Sequence, residues 1–279
     1  MANTVKLDFV KMHGLGNDFI LLDGVSQKLD LTADNIRHLS HRKFGIGCDQ
    51  LLIAQSPSQE DVDFRYRIFN SDGSEVEQCG NGARCFAQFV RQIGLTDKEV
   101  IKVETLAGIF TLNVRDDINV TVEMGQPEFE KEKIPFSEQG ENNVHIFEIN
   151  NQQIEFAVVS MGNPHAVIFV DDVNSTDVQE IGSRLEVDGR FPKRTNVQFV
   201  QVENRQHITQ RIFERGVGET MASGSGACAA AAVAQQKNRV DDAVKITMPG
   251  GVLGIQRNKN GSLLMTGPTE FSFEGSVNV

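Results

Sequence analysis

A chain of 279 residues can build two modest domains or one large one, each with its own core. Its 39% hydrophobic and 23% charged residues are those of an ordinary soluble globular protein. A net charge of −11 argues against the basic face that nucleic acid or an anionic membrane calls for.

The stretch Met1–Val10 carries Lys6 and Asp8 among its apolar residues, so no signal-peptide core is expected there. No run reaches the ~20 apolar residues of a membrane span. Short runs rich in Val, Ile, Phe and Thr predict strands over Phe19–Leu22, Leu51–Ala54 and Tyr66–Phe69. The glycine-flanked Cys79-Gly80-Asn81-Gly82 precedes a first helix, read as starting after Gly82 and running over Ala83–Val90. Strands are predicted next at Ile101–Glu104, Thr111–Val114 and Val120–Met124, and the charged stretch from Glu128 to Asn143 reads as a surface excursion. Ile154–Val159, Ala166–Val170, Val197–Val202 and Ile208–Phe213 are further strands. Ser223-Gly224-Ser225-Gly226 then opens a second helix, beginning near Gly224 and mostly alanine from Ala227 to Ala234. With hardly a polar face, that helix must be enclosed by protein on nearly all sides. Strands at Val244–Met248 and Leu263–Thr266 follow, and turn signals such as Asp72-Gly73 and Asn260-Gly261 separate the segments.

The order repeats. Arg67-Ile68-Phe69 returns 144 residues later as Arg211-Ile212-Phe213, and the same shift takes Glu75 to Glu219, Gly80 to Gly224, Gly82 to Gly226 and Ala83 to Ala227. Upstream the shift is 146, where Gly16-Asn17 meets Gly162-Asn163 and Gln50 meets Asn196. Matched blocks in one order mark an old duplication rather than a solenoid, whose period is roughly 20–50 residues. The expected fold is α+β: two structurally similar halves related by pseudo-two-fold symmetry, each a curled mixed β-sheet around a central helix. The N-terminal half spans 1–123, carries Cys79 and is completed by a C-terminal strand from 269–279; the C-terminal half spans 124–268 and carries Ser223.

Four cysteines, Cys48, Cys79, Cys85 and Cys228, have neither zinc-ligand spacing nor a secretory context for disulfides. Cys48, Cys85 and Cys228 read as core residues. Cys79 stands at a helix start, where unpaired amides and the helix dipole lower a thiol's pKa. His13, His38, His41 and His207 lack ligand spacing and read as surface or packing residues. Gly14-Leu15-Gly16-Asn17 lacks the third glycine and the following helix of a dinucleotide fingerprint. If the two halves face each other across a cleft, two helix N-termini converge on one anion, with Cys79 and residue 223 flanking it. Inverting a stereocentre beside a carboxylate needs that set: a base on one face, an acid on the other, and stabilisation of the charge that develops.

Lys11-Met12-His13-Gly14-Leu15-Gly16-Asn17-Asp18-Phe19 resembles the opening of the diaminopimelate epimerase family. Gly45-Ile46-Gly47-Cys48-Asp49-Gln50, Asn70-Ser71-Asp72-Gly73-Ser74 and Gln78-Cys79-Gly80-Asn81-Gly82-Ala83-Arg84-Cys85 follow in the family's order. So do Met161-Gly162-Asn163-Pro164-His165, Arg190-Phe191-Pro192, Glu214-Arg215-Gly216 and Gly218-Glu219-Thr220. The resemblance implies a diaminopimelate epimerase-like fold. It also implies interconversion of LL- and meso-2,6-diaminopimelate in the cytoplasm, without pyridoxal phosphate, other cofactor or metal, on the way to lysine and peptidoglycan. By resemblance, Cys79 is base or acid on one face of the α-carbon. Asn17, Gln50, Asn70, Asn163, Asn196 and Arg215 hold the substrate's amino and carboxylate groups. Gly80, Asn81, Gly224 and Ser225 present backbone N–H groups to the reacting carboxylate. His165 and Glu214 are expected beside the two catalytic positions, tuning protonation or orienting the substrate amine. The implied partners are the small-molecule substrate, with neither nucleic acid nor membrane, and a second copy of the chain, paired through a region near the C-terminus that holds Phe273.

The departure is at position 223. The family pattern Ala-Cys-Gly-Ser-Gly-Ala-Cys is here Ala222-Ser223-Gly224-Ser225-Gly226-Ala227-Cys228, and Cys228, inside the helix, cannot stand in for the missing thiol. A thiol titrates near ~8.5 before any tuning, and a serine hydroxyl is far harder to ionise. Losing one partner of an acid–base pair lowers the rate ~10²–10⁴-fold. The chain is therefore expected to bind substrate and epimerise it poorly. An introduced cysteine-to-serine replacement fits better than a natural variant, because the other family positions are intact. Other functions stay open on the residues: a proline or hydroxyproline racemase, a one-base dehydratase on a related scaffold, or a catalytically silent amino-acid binding protein. Glu214 also fits a structural ion-paired strand end, and Gly224 and Gly226 a tightly packed helix cap.

Overall fold

The computed structural model describes residues 6–77, 79–137 and 143–279. Of the features read above, the start of the Met1–Val10 stretch, Gln78 of the cysteine motif and positions 138–142 of the charged excursion lie outside the described residues. In chain order the elements are β1 (Lys6–Gly14), β2 (Asn17–Asp23), α1 (Ala33–Ser40), β3 (Gln50–Gln55), β4 (Phe64–Asn70), β5 (Glu75–Val76), α2 (Gly80–Gln92), β6 (Val100–Thr105), β7 (Gly108–Val114) and β8 (Asn119–Glu123). There follow β9 (His145–Ile149), β10 (Gln152–Ser160), β11 (Pro164–Phe169), α3 (Val178–Glu186), β12 (Asn196–Asn204), β13 (His207–Glu214), β14 (Gly218–Thr220) and α4 (Gly224–Gln236). The chain ends with β15 (Ala243–Met248), β16 (Gly251–Arg257), β17 (Leu263–Pro268) and β18 (Glu270–Asn278).

Two compact units result, Met1–Glu123 with Thr266–Val279, and Met124–Met265. The second ends at Met265 and not at the expected 268. Thr266 already belongs with the first unit, its Oγ1 lying 2.7 Å from Thr121 Oγ1.

In the first unit β1 pairs antiparallel with β2 on one side and β18 on the other. β2 runs parallel to β3; β3 and β4 are antiparallel; β4 pairs with short β5 and, in parallel, with β6; β7 and β8 follow as a meander. Helix α2 is buried from Gly80 to Val90 and packs on β1, β2, β3, β7 and β8. One helix touches strands from both ends of the sheet, so the sheet curls around it. The other face of the same strands is also covered: Ile20, Leu22, Leu51 and Ile53 cluster with Ile36 and Leu39 of α1. Strands buried on both faces read as unbroken apolar runs, which is why Phe19–Leu22 lacks polar alternation.

The second unit builds the same arrangement. β9 and β10 pair, β10 and β11 are antiparallel, β11 and β12 parallel, β12 and β13 antiparallel; β13 takes short β14 and, in parallel, β15, which pairs with β16. Helix α4, buried at Gly224 and from Gly226 to Ala234, packs on β10 to β13, β15 and β16. Its alanines let the sheet approach closely. β9 flanks β10 as β18 flanks β1, so the last strand of the chain supplies the first unit with a neighbour that the second unit draws from its own beginning. Each unit is thus a curled mixed sheet around a central helix, the α+β class expected.

Every strand segment predicted from the sequence falls on a strand, though Met124 and Val170 lie one residue past the ends of β8 and β11. Helices α1 and α3 and strands β1, β5, β9, β14 and β16 were not anticipated. Helix α2 starts at Gly80, ahead of the expected start after Gly82, because Cys79 is its N-cap.

Candidate active site

In the first unit the loop from β5 brings Cys79 to the N-cap of α2 in an extended conformation, φ −145° and ψ 112°. Its Sγ accepts the Gly82 N–H at 3.4 Å and lies 3.8 Å from Asn17 Oδ1. Asn81 Nδ2 donates to the same oxygen at 3.4 Å. Gly82 has to be glycine, since a Cβ there would stand 2.5 Å from Tyr66 Oη. Leu15 and Gly16, with φ of +59° and +85°, are the two-residue turn of the β1–β2 hairpin that delivers Asn17; this chemistry is a tight turn, not a phosphate loop.

Asn17 Nδ2 donates to Asp49 Oδ2 at 2.9 Å, and Asp49 pairs with Arg42 at 2.7 Å. Arg42 also grips both oxygens of Asp18, at 2.9 and 2.7 Å, and buried Lys11 reaches Asp18 at 2.6 Å. Burial pushes the Asp18 carboxyl up, but the hydrogen bonds and charges of Arg42 and Lys11 outweigh it and hold the group well below the usual carboxylate range. Gln50 and Asn70 stand opposite each other on β3 and β4, with Gln50 Nε2 donating to Asn70 Oδ1 at 3.0 Å.

In the second unit Ser223 is the N-cap of α4, φ −135° and ψ 123°. Its Oγ accepts the Gly226 N–H at 3.3 Å, the bond Cys79 makes to Gly82. Gly224 is buried and Ser225 half-buried. His165 is fully buried, with Nε2 2.9 Å from Asn163 Oδ1 and Nδ1 2.9 Å from Gln198 Nε2. Burial drives the imidazole pKa down to about 3, the Arg215 charge adding to the effect against the Gln198 hydrogen bond, so the ring is neutral at physiological pH. Both ring nitrogens are engaged by neighbouring side chains, Nε2 by Asn163 and Nδ1 by Gln198.

Asn196 spends its amide on the backbone, donating from Nδ2 to Pro164 O at 3.1 Å and accepting the Arg215 N–H at 3.0 Å. It thereby holds the Glu214-Arg215-Gly216 corner. Glu214 Oε1 accepts from Thr220 Oγ1 at 2.6 Å, Arg215 Nη1 donates to Lys193 O at 3.1 Å, and Gly216 N–H donates to buried Glu186 at 2.7 Å. The repeated Arg-Ile-Phe and Glu blocks also acquire a meaning. Arg67 and Glu75 form a two-pronged ion pair at 2.8 and 2.8 Å, and Arg211 and Glu219 form its copy at 2.6 and 2.9 Å, each glutamate lying on the short strand that precedes a central helix in the chain.

The remaining cysteines are buried; burial pushes Cys48 up and takes the Cys85 thiol to about 12. His13 lies 3.4 Å from Glu270 and His207 2.8 Å from Thr247 Oγ1, ordinary packing partners. Sequence reasoning missed Gln198, Arg42, Thr220 and Glu186. Gln198 left a signal as a polar residue within the apolar run Val197–Val202, and Thr220 stands in the Gly218-Glu219-Thr220 motif, though without a role assigned to it.

The family profile described as Diaminopimelate epimerase matches residues 9–130 and 157–272. The chain belongs to the diaminopimelate epimerase family. A diaminopimelate epimerase of Pseudomonas savastanoi pv. phaseolicola is 51% identical to it over 272 residues, covering 97% of this chain and 99% of that protein. The diaminopimelate epimerase of Cupriavidus pinatubonensis is 49% identical over 283 residues, 99% of this chain and 98% of that one. The fold also matches the crystal structure of a hydroxyproline epimerase from Agrobacterium vitis with bound trans-4-hydroxy-L-proline, at TM-score 0.71 over 98% of this chain and 93% of that chain. At 16% identity that likeness speaks for the fold alone.

Proposed function

We propose that this chain interconverts LL- and meso-2,6-diaminopimelate without a cofactor, Cys79 and residue 223 dividing the proton chemistry: one takes the α-hydrogen as the other returns a proton to the opposite face. One observation carries the assignment. In a family of epimerases, Cys79 and Ser223 are the N-caps of the two duplicated helices, each accepting the N–H of the glycine three positions on. Backbone amides and the helix dipole at such a terminus favour the negative charge that a carboxylate gains as the α-carbon is deprotonated. Asn17, Asn163 and the Glu214-Arg215 corner are assigned to the substrate's polar groups, His165 to the support of Asn163.

A thiol is a competent acid–base group and a hydroxyl is not, so the chain as it stands binds diaminopimelate and turns it over slowly. Ser223→Cys is expected to raise stereoinversion, and α-hydrogen exchange in D₂O, by about 10²–10⁴-fold. An unchanged rate in that variant sinks the assignment of residue 223. Binding by calorimetry with no turnover in either form points instead to an amino-acid binding protein.

The same reading places the protein in the cytoplasm, where lysine and peptidoglycan precursors are made; among the described residues no helix is long and apolar enough to cross a membrane. It also includes a homodimer through β18, where Phe271 and Phe273 are 43% and 47% exposed. A monomer by light scattering at working concentration overturns that part.

A further inference from the structure

We propose that Asn17 and Asn163, equivalent positions of the two units, are locked with opposite ends of the amide presented. Asp49 fixes Asn17 with its oxygen outward, to take a substrate ammonium; Gln198, through His165, fixes Asn163 with its NH₂ outward, to take a substrate carboxylate. This rests on the reading above that the two asparagines hold an amino acid.

At Asn17 the polarity follows from Asp49. A carboxylate paired with the Arg42 guanidinium offers only acceptor oxygens, so the atom 2.9 Å from Asp49 Oδ2 must be the amide nitrogen. Oδ1 is then turned towards Cys79 and Asn81, in contacts of 3.8 and 3.4 Å. Both are long enough to yield to an ammonium.

At Asn163 the polarity follows from the ring proton of His165, which Gln198 sets. Gln198 Nε2 donates to Nδ1, so the single ring proton of a neutral imidazole sits on Nε2 and points at Asn163 Oδ1. Gln198 is fully buried, and as placed the group left without a partner is its oxygen. Reversed, it would strand both hydrogens of a buried NH₂, and orphaned donors are rarer than under-used carbonyl oxygens. With Oδ1 taken, half-buried Asn163 has Nδ2 to offer.

The two anchors are mutually exclusive along the duplication. Phe19 pairs with Gln50 across β2 and β3 as His165 pairs with Asn196 across β11 and β12, which aligns Phe19 with His165 and Leu52 with Gln198. The first unit therefore has no imidazole or amide at these positions. In the same alignment Asp49 meets Thr195, whose Oγ1 is occupied with Asn196 O at 3.1 Å. Each unit kept the asparagine and acquired a different device to orient it.

The experiment combines NMR of the chain carrying isotope-labelled histidine with calorimetry of LL-diaminopimelate binding to the unsubstituted chain, Asp49→Asn and Gln198→Leu. Gln198→Leu reproduces the packing of Leu52, and Asp49→Asn is isosteric, so both should fold; circular dichroism checks this. Expected in the unsubstituted chain is a neutral His165 protonated on Nε2 between about pH 5 and 8. Gln198→Leu should release that tautomer and weaken binding about tenfold, the worth of a misaligned polar contact. Asp49→Asn should weaken binding by a similar factor and leave the His165 signals alone. A ring protonated on Nδ1 in the unsubstituted chain overturns the proposal, as does unchanged affinity in either folded variant. A chain with the expected tautomer that binds no LL-diaminopimelate refutes the underlying functional reading and, with it, the substrate groups assigned to the asparagines.

Discussion

At the scale of single residues, His165 is the group whose environment departs furthest from water. Its pKa is about 3 in the folded protein against an ordinary ~6.5 in an unfolded chain. Above pH ~6.5 both states hold the ring neutral and the difference contributes nothing adverse. As pH falls from there towards 3, the unfolded chain gains a proton that the folded one refuses, and stability drops. The slope from one such group approaches about 1.4 kcal/mol per pH unit. His165→Phe copies the residue the first unit carries in the same place, Phe19, and removes the titration. Denaturant unfolding between about pH 6.5 and 5 should show the unsubstituted chain losing on the order of 2 kcal/mol more than the variant. Parallel pH curves for the two would mean that His165 is not buried neutral. None of this was legible from the sequence, which offered His165 only as part of a family motif. What makes it a neutral spacer is Gln198, a residue 33 positions away that only strand pairing brings near.

At the scale of elements, sequence patterns identified those with unbroken apolar runs and missed short helices such as α1 and strands such as β9, whose buried face includes the polar His145. Strands such as Leu51–Ala54 and the alanine run of α4 announced themselves by unbroken apolar content. Helix α1 has only eight residues and buries Ile36 and Leu39, with a capping box of Thr32 and Asn35 where glutamate or glutamine is the usual signature. Too little of its face is apolar to register as periodicity. The start of α4 near Gly224 was legible, whereas that of α2 was set too late, because its N-cap is cysteine ahead of a glycine pair and glycine normally argues against helix. Those glycines are there for space. Tyr66 Oη is buried without a hydrogen-bond partner, and a Cβ on Gly82 would meet it at 2.5 Å. Gly82→Ala is therefore expected to destabilise by about 1–3 kcal/mol through overpacking. Tyr66→Phe, which deletes an unsatisfied buried hydroxyl, should be neutral or mildly stabilising. In the Tyr66→Phe background the Gly82→Ala penalty should shrink, and equal penalties in both backgrounds would exclude the Tyr66 clash as its cause.

At the scale of the whole molecule, the duplication was legible because ion pairs and glycine-flanked caps recur at constant spacing, and it carried the α+β architecture with it. The point at which the chain returns to its first unit was less legible, since β17 runs on through Pro268 while the unit boundary falls at Met265. The first unit is discontinuous and the second is not, and this has a mechanical consequence. β18 covers one side of β1 from Lys6 to His13, and its Phe273 ring meets Phe9 edge-on at 6.0 Å. A chain ending at Thr269 would leave the backbone groups of β1 on that side unpaired and expose Phe9, turning an interior strand into an edge. The second unit has its own equivalent, β9, and loses nothing by the truncation. Hydrogen–deuterium exchange should then show faster uptake in β1 and β2, with the peptides of α4 and β11 to β13 unchanged. Exchange that rises equally in both units would mean that they open as a single cooperative block, and exchange that rises in neither would mean that β18 contributes nothing to the first unit's stability.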